Sequence, residues 1–152
     1  SPRMRFDLTV NEFVREMFLG RELLVYDAKT WRPYCHVRDF SRVVDQVLLY
    51  PAEQVSFEVF NAGGECNNFN KQAIVDEILR HLPNAPVKYK EKGSDPRNYK
   101  VNFSKIRNVL GFKPEYTVSD GIVALISALQ QNIFSRVEEQ RNFYHNYEIK
   151  NY

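Results

Sequence analysis

Apolar and polar positions alternate along this 152-residue chain with two different periods, and the period predicts the elements. Val10, Phe13, Val14, Met17 and Phe18 recur at helical spacing, with Asp7 or Thr9 available as N-cap and Gly20 just beyond. The run RELLVYD is short and partly β-branched, which predicts a strand over 22–26. A polar and aromatic segment, DAKTWRPYCHVRD, follows at 27–39. Behind Asp39, a cap or first-turn anion, Phe40, Val43, Val44, Val47 and Leu48 line one helical face that Pro51 stops. VSFEVFNAGG predicts a buried strand over 56–61 that ends in a glycine pair. Asn70 then caps a helix carrying Ile74, Val75, Ile78, Leu79 and Leu82. From Val87 to Lys92, apolar or aromatic residues alternate with lysine, the pattern of a strand with one wet face.

The loop GSDPRNY leads to a short helix, KIRNVL, with Ser104 as cap and Gly111 as stop. Thr117 and Asp120 form a capping-box pattern ahead of Ile122, Val123, Ile126 and Leu129. The tail over 136–152 is polar and aromatic without a clean period, and is expected to be either helical or frayed. Helices and strands alternate throughout, so the class is α/β or α+β, with the chain expected to form one lobe over 1–152.

Composition narrows the function classes. Hydrophobic residues at 43% and charged residues at 26% are ordinary globular usage. A net charge of +2 is too small to demand a nucleic-acid partner. No apolar run reaches the ~18 residues of a membrane span, and no leader pattern opens the chain, so a cytoplasmic location is expected. Cys35 and Cys66 lack CxxC spacing, which argues against a disulfide scaffold. The three histidines are scattered without metal-ligand spacing, so no metal site is expected. Cys35 and His36 are neighbours in sequence and so point to opposite faces of a strand, which argues against a Cys-His nucleophile. The opening SPRMRFDL has no initiator Met and enters a helical pattern at once, and we read it as a piece of something longer.

Two arginines carry the chemistry. Arg32 lies in the 27–39 segment and Arg97 in the loop SDPRNY. Arginine suits a bidentate, fixed-geometry grip on phosphate, and two arginines from separate loops can hold a diphosphate. Tyr26, Trp31, Tyr34 and Tyr99 flank them and could border a base or sugar. The glycine pair in NAGGECNNFNK, between a strand and a helix, lacks GxGxxG and the Walker Lys-Ser/Thr, which favours a tight turn over a dinucleotide site.

These residues also carry a family resemblance. WRPYCHVRDF at 31–40 resembles the R-[DP]-[FYW]-x-[HY]-V-x-D segment of extended short-chain dehydrogenases/reductases that act on nucleotide sugars. FDLTVNEFV at 6–14 is similar to the preceding helix, FEVFNAGG to the Y-N-[IAL]-G strand end, and residues 95–122 to D-x-R-x-Y…SK…LG[FW]-x-P…G. All four occur in the family's order.

The resemblance implies the C-terminal substrate-binding lobe of a nucleoside-diphosphate-sugar epimerase or dehydratase, lacking most of the NAD(P)-binding Rossmann domain. It implies that Arg32 and Arg97 grip the diphosphate, Tyr26 lines the base, Asn11 borders the same pocket, and Tyr99 lies near phosphate or ribose. His36 and Asp39 carry over as structural. In the parent enzyme, expected to be a homo-oligomer, NAD or NADP takes hydride from the sugar while a Tyr-x-x-x-Lys pair handles the proton. That pair and the opening GxxGxxG do not occur here, so no catalytic or cofactor-binding residue is expected, and the chain alone is expected to be inactive. Tyr89 and Lys92 share the spacing but lie on a predicted strand in the wrong place. Position 27 is Asp where many members have Gly. Two other readings remain: a nucleic-acid module built on the basic and aromatic segments, and a noncatalytic scaffold of the same fold.

Overall fold

The computed structural model describes residues 3–91, 93, 97–134 and 136–146. Its elements are α1 (Thr9–Phe18), β1 (Leu23–Tyr26), β2 (Trp31–Pro33), α2 (Val37–Leu49), α3 (Ala52–Val55), a 3₁₀ turn (Glu65–Asn67), β3 (Asn68–Asn70), α4 (Lys71–Leu79), β4 (Val87–Lys90), α5 (Ser104–Leu110), α6 (Val118–Gln130) and α7 (Arg141–Tyr144). Among the described residues two small ladders form. β1 pairs with β4 in parallel, Leu23 opposite Val87, and β2 pairs with β3 antiparallel, Arg32 opposite Phe69.

The helical periods read from sequence bury the faces they name. Phe13, Val14 and Met17 of α1 meet Ile74, Val75 and Ile78 of α4 and Ile122 and Leu125 of α6, with Leu23 and Val25 of β1 completing this core. A second cluster joins Val43 of α2 to Phe103, Ile106, Leu110 and Phe112. At ~1.5–3 kcal/mol for each fully buried large side chain, these two clusters are the main source of stability. Asn70 Oδ1 accepts the Ala73 N–H at 2.7 Å, and Thr117 and Asp120 complete a reciprocal capping box ahead of α6. Gly111 closes α5 at φ +66°, a left-handed position that favours glycine.

Four local expectations are corrected. Residues 56–61 form no strand: Phe57 takes φ +60°, and Phe57 and Val59 are exposed. Strand structure is held by a neighbour's ladder, and neither ladder of the described residues includes this segment. The backbone of Leu8 caps α1 without a side-chain bond, in place of Asp7 or Thr9; Asp7 is held instead by Arg5 at 2.6 Å. Ser104 is the first residue of α5, and Asn102 Oδ1 accepts its N–H at 2.8 Å, so the capping oxygen sits two residues upstream of it. Asp39 is the acidic residue of the first turn of α2 and not its cap. That role falls to His36, whose Nδ1 accepts the Arg38 N–H at 3.2 Å. β4 ends at Lys90; Lys92, and with it the Tyr89–Lys92 spacing, lies outside the described residues.

Candidate functional site

β2 is the hinge of the site, because the two edges of a short antiparallel strand face different neighbours. Tyr34 N–H donates to Asn67 O at 2.9 Å on the β3 side. Trp31, an odd number of residues away, faces the other edge. Its N–H donates to Asn98 Oδ1 at 2.9 Å, and its carbonyl accepts the Tyr99 N–H at 3.3 Å. The segment behind Arg97 is thereby laid along the strand that carries Arg32. Arg32 Nη1 donates to Trp31 O at 2.8 Å, and its guanidinium lies 5.6 Å from the Tyr99 ring centroid. Lys100 Nζ stands 3.6 Å from the Trp31 ring centroid, a second cation–π pair on the same strand.

Asparagines keep this segment in place. Asn68 of β3 exchanges two 3.0 Å bonds with the Val101 backbone, and Asn61 Nδ2 donates to Asn102 O at 3.2 Å. Glu65 accepts the Phe103 N–H at 3.3 Å and pairs with Arg107 at 3.1 Å. Sequence reading missed these residues. Their only sequence signal is the density of Asn in NNFN, Asn98 and Asn102, since side chains that satisfy a loop backbone pair across long separations. Residues 94–96 of the loop, including Asp95 of the family signature, lie outside the described residues.

The turn after β1 is braced from three sides. Tyr26, exposed at the strand end, has its carbonyl held by Lys71 Nζ at 2.7 Å. Asp27 N–H donates to Lys90 O at 2.9 Å, and Gln72 N–H donates to Ala28 O at 2.9 Å. Gln72 Nε2 also donates to the Tyr89 hydroxyl at 2.8 Å, tying the turn to β4. Asp27 takes φ +50°, a left-handed conformation that Gly adopts freely and Asp tolerates better than most side chains. Asn11, on α1, spends its amide N–H on Arg5 O at 2.9 Å. Burial pushes the Tyr34 phenol up, opposed by the Thr9 hydroxyl and the charge of Arg32; the Tyr34 hydroxyl is buried without a hydrogen-bond partner among the described residues.

Behind the site, Asp39 is fully buried. It accepts the N–H groups of Glu115 and Tyr116 at 3.0 Å each and pairs with Arg42 at 2.7 Å. His36 stacks on Tyr116 with centroids 4.4 Å apart. Burial holds the His36 imidazole below its ordinary range, with Arg38 adding to this and Asp39 and Asp120 opposing it. The folded state therefore resists a proton that the unfolded chain accepts. Stability from this group is complete above about pH 6.5 and falls as pH drops through the window below it. Thermal unfolding between pH 7 and 5.5 should show this fall in the wild type. His36→Asn, which keeps a capping oxygen without titrating, should flatten it; an unchanged slope would refute the assignment. Cys35 and Cys66 are unbridged, and burial raises the Cys35 thiol, away from a reactive thiolate. Among the described residues no cluster of three metal-ligating groups occurs, and no helix is long and apolar enough to cross a membrane.

No family model matches the chain. Among curated proteins it is 29% identical to a dTDP-glucose 4,6-dehydratase of Streptomyces niveus over 131 residues, 79% of this chain and 36% of that protein. It is 28% identical to UDP-glucuronic acid decarboxylase 2 of Arabidopsis thaliana over 145 residues, 91% of this chain and 31% of that protein. The chain thus spans about a third of the length of the curated relatives it matches. Among solved structures, dTDP-glucose 4,6-dehydratase of Bacillus anthracis in complex with NAD matches 91% of this chain and 43% of its own at TM-score 0.69 and 23% identity. UDP-glucuronic acid 4-epimerase of Bacillus cereus, in complex with UDP-glucuronic acid and NAD, matches 84% and 41% at TM-score 0.72 and 21% identity. The fold is that of extended short-chain dehydrogenases/reductases over the matched span. The homologues and structural neighbours of this chain include nucleotide-sugar dehydratases, decarboxylases and epimerases, and the solved structures it resembles also include L-threonine dehydrogenases.

Proposed function

We propose that this chain is the nucleotide-sugar-binding lobe of an NAD(P)-dependent nucleoside-diphosphate-sugar epimerase or dehydratase, and that Arg32 and Arg97 together grip the diphosphate. The observation that carries this reading is the pairing of the Asn98 side chain and the Tyr99 N–H with the Trp31 backbone, which brings the loop bearing Arg97 alongside the strand bearing Arg32. Two guanidinium groups from separate segments suit a diphosphate, whose oxygens accept bidentate bonds from both. In this reading Tyr26 borders the base and Tyr99, under Arg32, the phosphate or ribose. Asn11 acts from α1 by fixing the chain around Arg5.

Hydride chemistry belongs to NAD or NADP in the parent, where the cofactor would take hydride from the sugar. The residues of this chain bind and orient the nucleotide sugar and hold no proton-transfer pair. The outward face of α2, with Val37, Phe40, Val44 and Leu48, together with exposed Phe57 and Val59, is where the NAD-binding half would sit. The 56–61 segment would then take a strand neighbour from that half. The parent assembles as a homo-oligomer in this reading.

Titration of UDP, dTDP, GDP, CDP and inorganic phosphate tests the proposal: a diphosphate site discriminates nucleoside diphosphates from phosphate. A nucleic-acid module would instead bind RNA or DNA with an affinity that falls steeply with salt, on a slope of about 0.9 per phosphate contact for duplex DNA. The isolated chain should leave added NAD unreduced in the presence of a nucleotide sugar; NADH formation read at its absorbance would overturn the assignment of a binding lobe without catalytic groups.

A further inference from the structure

We propose that Asn98 is the positioning residue of Arg97: its side-chain oxygen docks the loop onto β2 and so sets where that arginine stands against Arg32. This rests on the reading that the two arginines grip one diphosphate. The junction is a single residue, Trp31. Its N–H donates to Asn98 Oδ1 at 2.9 Å, and its carbonyl accepts both the Tyr99 N–H at 3.3 Å and Arg32 Nη1 at 2.8 Å. The same carbonyl therefore anchors the Arg32 guanidinium and the segment that follows Arg97. At Tyr99 the main chain itself bonds β2; at Asn98 the carboxamide does so in its place, one residue from Arg97.

Two observations separate this from an ordinary loop contact. Asn98, Tyr99 and Lys100 are exposed, yet each is spent on β2. Asn98 takes the Trp31 N–H, Tyr99 takes the Trp31 carbonyl and lays its ring 5.6 Å from the Arg32 guanidinium, and Lys100 Nζ stands 3.6 Å from the Trp31 ring centroid. Asn68 then fixes the far end of the segment through its two 3.0 Å bonds with the Val101 backbone. The second observation is that β2 is held along its other edge by β3, with Arg32 opposite Phe69, so the backbone of Arg32 keeps its place without the loop. Removing the Asn98 oxygen therefore loosens the Arg97 side of the grip and leaves the Arg32 strand in its ladder. A guanidinium on a loosened loop has to be ordered by the ligand at the moment of binding, and that ordering is subtracted from the affinity.

The test is calorimetric titration of the 152-residue chain with UDP, in the wild type, Asn98→Ala, Arg97→Ala and the double variant. We expect Asn98→Ala to bind UDP about 10-fold more weakly, the size of ordering roughly one loop residue on binding. In the Arg97→Ala background the same substitution should cost no more than about 2-fold, because the arginine it positions is absent. A loss as large without Arg97 as with it would overturn the positioning role and assign the carboxamide to the ligand or to the fold. Wild-type affinity in Asn98→Ala would overturn it as well. A wild type that does not bind UDP, or whose affinity Arg97→Ala leaves unchanged, would overturn the two-arginine reading and this inference with it. Asn98 is exposed and gives up one printed bond to β2, so its unfolding midpoint should stay within about 4 °C of the wild type. Should Asn98→Ala fail to fold, Asn98→Gln carries the same cycle, since the longer arm displaces the docking point without removing the acceptor.

Discussion

Asp39→Ala should lower the thermal unfolding midpoint by roughly 6–12 °C. The carboxylate is fully buried, and its two oxygens serve three donors: the Glu115 and Tyr116 N–H groups and Arg42 Nη1. An alanine leaves both amides without their acceptor at a partly buried site, at about 1–3 kcal/mol each. Arg42 loses less, because it is partly exposed and keeps Glu115 at 2.8 Å and the Lys113 carbonyl at 3.2 Å. A total near 3 kcal/mol follows, and for a chain of this size each kcal/mol moves the midpoint by about 2–4 °C. Asp39→Asn should fall between, since it keeps one acceptor while its NH₂ faces the remaining amide. Circular dichroism melts decide the matter: an Asp39→Ala midpoint within about 2 °C of the wild type would show that the three bonds contribute little.

That residue also marks the boundary of what sequence discloses. The apolar periods of α1, α4 and α6 were legible because burial of a helical face is a local property of spacing, and the caps at Asn70 and Thr117 were legible because each acts within three residues. Asp39 read as a cap or first-turn anion by the same local logic, and it is the first-turn anion. Its partners lie 76 and 77 residues away, so only the folded chain reveals that the carboxylate joins α2 to the segment ahead of α6. His36 then caps the helix from the position next to it. The 56–61 segment was misread for the complementary reason: its composition suits a strand, but strand structure depends on a neighbour that composition does not disclose. In the site, Arg32 and Arg97 stood out by residue type and aromatic flanks. The bonds that bring their segments together, Asn98 and Tyr99 to Trp31 and Asn68 to Val101, cross 67, 68 and 33 residues and left no periodic trace.

Arg32→Ala and Arg97→Ala should each weaken nucleoside-diphosphate binding by roughly 10- to 100-fold, the largest functional effect expected in this chain. A hydrogen bond between charged partners contributes about 1.5–3 kcal/mol, and each 1.4 kcal/mol is tenfold in affinity. The Arg32 guanidinium is already ordered against Trp31 O and the Tyr99 ring and gives up little freedom on binding. Lysine at either position should recover only part of the loss, since an ammonium restores the charge but not the fork. If both side chains grip one diphosphate, the double variant should lose less than the sum of the two single losses, because once one grip is gone the phosphate is no longer held in the geometry the other requires. Strict additivity would place the two arginines on separate ligands or separate phosphates. Equal, salt-sensitive losses for UDP and for a random oligonucleotide would assign both to a nucleic-acid surface instead. With only two charges engaged, UDP affinity should decline gently with ionic strength, and Arg32→Ala should make that decline gentler still.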